Sequence, residues 1–284
     1  MRTAPRWIPN LLIYGVLLAA ALLFLFPYWW MLISSVRDQD QIFNSTRQLG
    51  WSTIWPESIS LHNYARLLTE KDFGRSMLVS LLNAGLVTAG ALAICTMAGY
   101  AFARLRFPGS RLAFLLALAT FMLPVEATVI PLFIEIRLLG WLNTLQALVV
   151  PFLATGFGIF LFRQFIADLP VALDEAAMID GCSWFGVYRR IILPQLGPAV
   201  VTMAILTFSI TWNSFFWPLI ATRGEEWRVA QLTLAHMASD IFEAGSFGWG
   251  GILAACTLLV LPLMIAFIFL QRYYVRGVAL SGFK

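Results

Sequence analysis

The chain has 284 residues, of which 60% are hydrophobic and only 12% charged, and its mean hydropathy is +0.80. Soluble globular chains run nearer half apolar and a quarter charged, so this composition excludes an ordinary soluble domain and points to an integral membrane protein. The net charge of +4 arises from basic residues scattered between apolar runs rather than gathered on one face, which argues against nucleic acid as a partner.

A bilayer core of about 30 Å takes about 20 apolar residues of helix. Windows of that kind lie at 7–36, 76–103, 138–162, 191–222 and 244–271, and a sixth, 112–134, is interrupted only by Glu126. The expected fold is therefore all-α and polytopic, with six transmembrane helices. Residues 1–36 form a tail and first helix, 37–75 an extracytoplasmic segment, and 76–284 the core domain with an internal loop at 164–195. The first span follows Arg2 and Arg6 but runs well beyond the roughly 7–15 apolar residues of a secretory signal, with no small-residue cleavage site after it, so it reads as a retained helix.

Basic residues orient the chain. With the N-terminus inside, eleven of the nineteen lysines and arginines fall on inner segments (Arg2, Arg6, Arg104, Arg106, Arg111, Arg163, Arg189, Arg190, Arg272, Arg276, Lys284). An even number of spans then places both termini in the cytoplasm. The outer segment 37–75 reads as a folded cap, because Trp51, Trp55 and Tyr64 need somewhere to be buried. Pro108 and Gly109 supply a tight inner turn after Arg104 and Arg106.

Catalytic motifs are absent. The two lysines, Lys71 and Lys284, lie in no phosphate-binding glycine loop, and His62 and His236 cannot form a zinc-protease motif. Cys95, Cys182 and Cys256 have neither disulfide-framework nor zinc-ligand spacing. The paired positions His236 and Asp240 cannot complete a metal shell, so no metal site is expected. Gly245, Gly248, Gly250 and Gly251 could let the last helix approach a neighbour closely.

The polar stretch 168–198 interrupts the apolar runs and falls on the inner side. Asp168 is placed to cap a short helix with Pro170 at an early position, and Gly181 to end it in the left-handed conformation. Ser183 then opens a second short helix that Pro194 is expected to stop. Ala176 and Ala177 give the first helix a small-residue patch flanked by Glu175 and Asp180, which suits either a groove on a partner or a plain surface helix.

The spacing Glu175-Ala176-Ala177, then Gly181, then Ile191, Leu193 and Pro194 resembles the cytoplasmic signature of ABC importer permeases. Asp180-Gly181, Trp212-Asn213, Trp217-Pro218-Leu219 and Gln271-Arg272-Tyr273 are similar to the second permease subunit of carbohydrate importers. Cys182, where alanine is usual, and the ending Ser281-Gly282-Phe283-Lys284 depart from that pattern. The resemblance implies a type I permease fold in which Asp174, Glu175, Ala176, Ala177, Met178, Asp180 and Gly181 form a coupling helix seated on an ATPase, while Ile191, Leu193 and Pro194 shape its loop. It implies a homologous second permease, two ATP-binding subunits carrying ATP and magnesium, an extracytoplasmic solute-binding protein and a prokaryotic inner membrane. This chain would hold no cofactor and catalyse no reaction. The implied solute is a sugar, with glycerol phosphate as the alternative because Met122-Leu-Pro-Val-Glu126 resembles that branch. An ion-coupled secondary transporter would want several intramembrane charges or an inverted repeat, and the sequence offers one acid and no repeat.

Four residues are candidates for the solute pathway. Glu126 is either a functional acid within the membrane or an interfacial residue at a helix end near Pro124. Trp212 and Asn213 offer an aromatic face and an amide, as sugar sites use, or simple interhelical contacts. Asn83 has the same two readings, with helix-to-helix bonding the stronger.

Overall fold

The computed structural model describes the backbone of residues 7–47, 50–56, 58–241 and 247–281. Side chains at 7–12, 44–47, 52, 125 and 270–281 are outside the description. The expectations resting on Gly245 and on the C-terminal tail motifs therefore fall outside the described residues. Among the described residues every element is helical: α1 Trp7–Ser35, α2 Gln39–Arg47, α3 Trp51–Ile54, α4 His62–Glu70, α5 Phe73–Arg104, α6 Ser110–Met122, α7 Val125–Leu138, α8 Leu145–Val149, α9 Gly156–Ala167, α10 Ala172–Ile179, α11 Trp184–Val187, α12 Leu193–Gln195, α13 Gly197–Trp212, α14 Phe216–Ala221, α15 Ala230–Ser239 and α16 Gly248–Ser281.

Among the described residues, three stretches are long enough and apolar enough to cross a membrane alone: Ile13–Ser35, Phe73–Arg104 and Gly248–Phe269. Three more are bent pairs, so the count is six if each pair is one span. The pair α6–α7 turns by 109°, α8–α9 by 41°, and the pair running from Trp184 through Gln195 into α13 by 78°. The sequence windows miss these breaks because apolarity continues through them. The window 112–134 runs across Leu123-Pro124, where the backbone turns extended and α7 starts afresh. The window 191–222 covers three elements, because Asn213 ends α13 and α14 begins only at Phe216.

Compactness divides the chain into one unit of Met1–Gly74 with Thr233–Leu261, and another of Arg75–Leu232 with Pro262–Lys284. The stretch 233–261 thus groups with the N-terminal segments.

In the first unit, the segment after α1 folds into α2, α3 and α4. The amide nitrogen of Asn63 donates to the carbonyls of Ser35 (3.0 Å) and Arg37 (2.9 Å), and the hydroxyls of Tyr64 and Ser35 pair at 2.7 Å. The expected reason for folding is corrected in part: Trp51 is 77% exposed and Trp55 about half exposed, Tyr64 is half-buried, and the groups that are buried are Arg37, Ile42, Asn63 and Leu67. Gly250 is required here. A Cβ at that position would meet the Asn63 amide at 2.7 Å and the Arg37 carbonyl at 2.8 Å, so the last helix approaches closely where its glycines allow it.

The second unit has two cores. One is built from Val79, Val129, Ile136, Ala147, Leu148, Trp217, Ala221, Val229 and Leu232, with the Trp217 indole donating to the Ala147 carbonyl at 2.9 Å. The other gathers Cys95, Tyr100, Phe162, Ile166, Ala177, Val187, Tyr188, Ile192 and Leu196, and it sits directly beneath the polar loop. Helix α5 contributes to both, so one long rod carries the loop's foundation.

A candidate coupling loop and its anchorage

The polar loop folds much as its residue types dictate, with two corrections. Helix α10 ends at Asp180, and Gly181 adopts φ +85°. The Gly181 amide donates to Met178 (3.0 Å) and the Cys182 amide to Ala177 (3.0 Å), which together satisfy two terminal carbonyls in a Schellman motif. Ser183 caps α11 by accepting from the Gly186 amide at 3.2 Å. Asp168, however, closes α9 and does not open α10, whose first turn begins after Val171. Pro194 does not stop the second helix either. A π turn over Tyr188–Ile192 carries the Leu193 amide back to the Tyr188 carbonyl, and the proline enters the next turn, where it needs no donor of its own. The chain actually breaks at Leu196, before Gly197 and Pro198.

The signature residues separate into two faces. Asp174 and Ala177 are buried; Glu175, Ala176, Met178, Asp180 and Gly181 are exposed. The expected small-residue patch is thereby divided, since only Ala176 faces out. What the outer side presents instead is a set of large apolar groups: Val171, Leu173, Met178, Ile179 (87% exposed), Trp184 and Phe185. Ile191 and Leu193 pack partly buried against the core beneath, while Pro194 is exposed.

The inner face is held by α5. Arg104 Nε lies 2.5 Å from Asp174 Oδ2, with the side chains only 7% and 5% exposed. This is an ion pair and not an in-line hydrogen bond, because neither carboxylate oxygen has a donor among the described residues. Arg104 Nη2 does donate to the Leu169 carbonyl at 2.7 Å. One turn back, the Tyr100 hydroxyl donates to the Trp184 carbonyl at 3.2 Å, and one turn further the hydroxyls of Thr96 and Tyr188 pair at 2.8 Å. Tyr100 and Tyr188 also meet ring to ring at 5.5 Å between centroids. Positions 96, 100 and 104 share one helical face. Sequence reading missed this ladder, although three polar side chains at four-residue spacing in an apolar helix are the signal that could have found it. A groove of about 400 Å³, lined by Arg104, Arg106, Val171, Asp174, Glu175 and Trp184 among others, opens beside the ion pair.

None of the four pathway candidates lines the groove beside the ion pair. Glu126 is exposed in the first turn of α7, where the helix dipole favours an acid, and Pro124 precedes it as the cap. It is no acid within a continuous span. Asn83 is 3% exposed with its carbonyl oxygen unpartnered among the described residues. Trp212 is buried and stacks on Phe208 at 5.9 Å with an interplanar angle of 11°. Asn213 is exposed, but its amide turns back to the Ser209 carbonyl at 2.8 Å and closes α13. A cavity of about 340 Å³ beside α13 is lined by Thr88, Ala204, Ile205, Phe208, Ser209, Leu263, Ala266 and Phe267, and none of the four candidates borders it. Among the described residues there is no cluster of His, Cys, Asp and Glu able to hold a metal.

Comparison with known proteins places this arrangement. Residues 90–280 match the model of the binding-protein-dependent transport system inner membrane component family, a stretch that includes the whole polar loop. The arabinooligosaccharides transport system permease protein AraQ of Halalkalibacterium halodurans is 31% identical over 269 residues, covering 93% of this chain and 92% of that protein. The sn-glycerol-3-phosphate transport system permease protein UgpE of Yersinia pestis bv. Antiqua is 29% identical over 263 residues, covering 92% and 93%. Among solved structures, a bacterial ABC transporter involved in the import of the acidic polysaccharide alginate superposes with a TM-score of 0.83 at 22% identity, covering 96% of this chain and all of that one, which establishes the shared fold. The chain belongs to the binding-protein-dependent transport system inner membrane component family, and is a permease component of an ABC importer rather than an enzyme.

Proposed function

We propose that the loop 164–195 is the cytoplasmic docking element through which a separate ATPase drives this permease, and that the solute is a sugar or short oligosaccharide. The observation that carries the docking role is the outer face of α10 and α11. Ile179 stands 87% exposed among other large apolar groups, with Glu175 and Asp180 at its border, on a loop whose inner face is fully engaged. An exposed apolar patch rimmed by charge is what a partner surface looks like. The chain itself has no phosphate-binding glycine loop, so ATP and magnesium belong on the partner, present in two copies. The N-terminus is cytoplasmic on this reading, as the basic residues indicate, and a homologous permease and an extracytoplasmic binding protein complete the importer.

For the solute, the cavity beside α13 supports the sugar reading. Among the described residues its lining holds Thr88 and Ser209 but no arginine or lysine, whereas a phosphate monoester calls for cationic partners. The relative that transports glycerol phosphate keeps the second reading open to the same experiment. Purifying the whole importer with its binding protein and identifying the carried solute by mass spectrometry decides it, and a phosphorylated solute would overturn the sugar assignment. For docking, Ile179→Lys inserts normally and loses ATPase co-purification. Burial of an isoleucine is worth about 1.5–3 kcal/mol, or on the order of 10- to 100-fold in affinity. A variant that retains the ATPase at wild-type yield would overturn the docking role.

A further inference from the structure

We infer that Arg104 is a positioning residue for coupling: with Tyr100 and Thr96 it locks the loop to α5, so that a pull on α10 moves the second span as one body. This rests on the docking role proposed above and specifies where the displacement goes. Three consecutive turns of one helix face each make a polar contact to the loop, at Asp174 and the Leu169 carbonyl, at the Trp184 carbonyl, and at the Tyr188 hydroxyl. The contacts are spread over residues 169–188, so they grip both short helices and not a single point. Between them lies packed core, with Tyr100, Ala177, Val187, Tyr188 and Ile192 in one cluster. Close-packed interiors pass displacement on rather than absorbing it.

The charges matter because of where they are. Asp174 sits on the helix whose outer face docks, yet it is buried against α5. A leucine there would pack equally well, but it would slide. An ion pair flanked by a bond to a backbone carbonyl fixes register between two helices, a role buried polar groups fill elsewhere. The neighbouring helix α9 is tied to the same rod by the Arg163 guanidinium, which donates to the Phe102 carbonyl at 3.3 Å and lies over the Phe114 ring.

The test is a distance measurement in the assembled importer. Spin labels at Phe107→Cys and Arg190→Cys, both exposed positions, report the separation between the end of α5 and the loop's π turn. In the wild-type background this distance stays the same in the nucleotide-free complex and in the complex trapped with Mg-ATP and vanadate. In the double variant Arg104→Met/Asp174→Leu, which removes both charges and strands neither, the complex still assembles. Its distance shifts on trapping by about 5 Å, near one helical turn. A double variant whose distance is as constant as wild type overturns the inference, as does a wild-type distance that changes on trapping. Loss of ATPase co-purification in a properly inserted double variant overturns it too, because the pair would then shape the docking surface. Thr96→Val/Tyr188→Phe removes one rung without touching charge, and decides the matter if the double variant does not insert: a smaller shift supports the inference and a constant distance sinks it. Failure of the wild-type chain to co-purify with any ATPase would instead defeat the underlying docking role.

Discussion

The two polar interruptions of this chain, the segment 37–71 and the loop 168–198, are held in different ways. The first is tied by a neutral amide: Asn63 bridges two backbone carbonyls where α1 ends, and a glycine of the last helix packs on top. The second is tied by charge and by hydroxyls from a single helix face, and it keeps a large apolar surface uncovered on the opposite side. Both segments leave large apolar groups exposed, Trp51, Ile59 and Leu61 in the first and Ile179 and Phe185 in the second, so the difference lies in the anchorage: a neutral amide at the end of α1 against charge and hydroxyls along α5.

Removing charge from one side of the buried pair gives the largest expected effect. Arg104→Ala strands Asp174, whose oxygens have no other donor among the described residues, and costs about 3–5 kcal/mol. Thermal unfolding of the detergent-solubilised protein, followed by intrinsic fluorescence, reads it. Equal melting of Arg104→Ala and wild type would mean that water reaches the carboxylate and that the loop is looser than the geometry indicates. Asn63→Leu is the counterpart in the outer segment. It removes two hydrogen bonds to buried backbone carbonyls, at roughly 1–3 kcal/mol, with the same measurement but with ATPase association unaffected. If this variant instead lost the ATPase, the contrast between the two anchorages would fall.

What the sequence made legible was local. Gly181 and Ser183 announce their own conformations, because only a residue without a Cβ sits easily at φ +85° and a serine side chain mimics the missing acceptor of a helix start. The spacing of the signature residues identified the loop. What stayed hidden was tertiary. No spacing says that Asp174 points in and Ile179 out, since a short helix with acids and alanines offers several consistent faces. Nor could apolarity alone reveal the bend at Leu123-Pro124, which removes Glu126 from the middle of a span and leaves it exposed at a helix start. Trp212 and Asn213 are adjacent in sequence, yet a helix end intervenes: one goes to the core and the other closes the last turn.

Gly181→Ala sharpens the comparison on a smaller scale. A Cβ there meets nothing within 4 Å, so the expected loss is the conformational cost of the left-handed backbone alone, about 1–2 kcal/mol. The loss should show as faster exchange of the amides at 181 and 182, which close α10, with protection at 183–188 retained. Uniform loss across the loop would mean that the turn and the ladder are one cooperative unit.

The smallest effect belongs to the outer segment's surface. Arg66 pairs with Glu70 one turn on, at 3.0 Å, and stacks over the Phe247 ring at 4.5 Å. The hydrogen bond from Arg66 holds the Glu70 carboxyl below the ordinary glutamate range. A group with a depressed folded-state pKa contributes its stability above its unfolded pKa and loses it as the pH falls through the folded one. The pair is exposed, so screening leaves that contribution small. Glu70→Gln should therefore melt with wild type at neutral pH in high salt. It should fall slightly below wild type in low salt, and rejoin it once the pH drops beneath the glutamate range. A deficit that persisted at acidic pH would show that the glutamate holds Arg66 over Phe247 by shape, and that the outer segment, like the loop, leans on a charge.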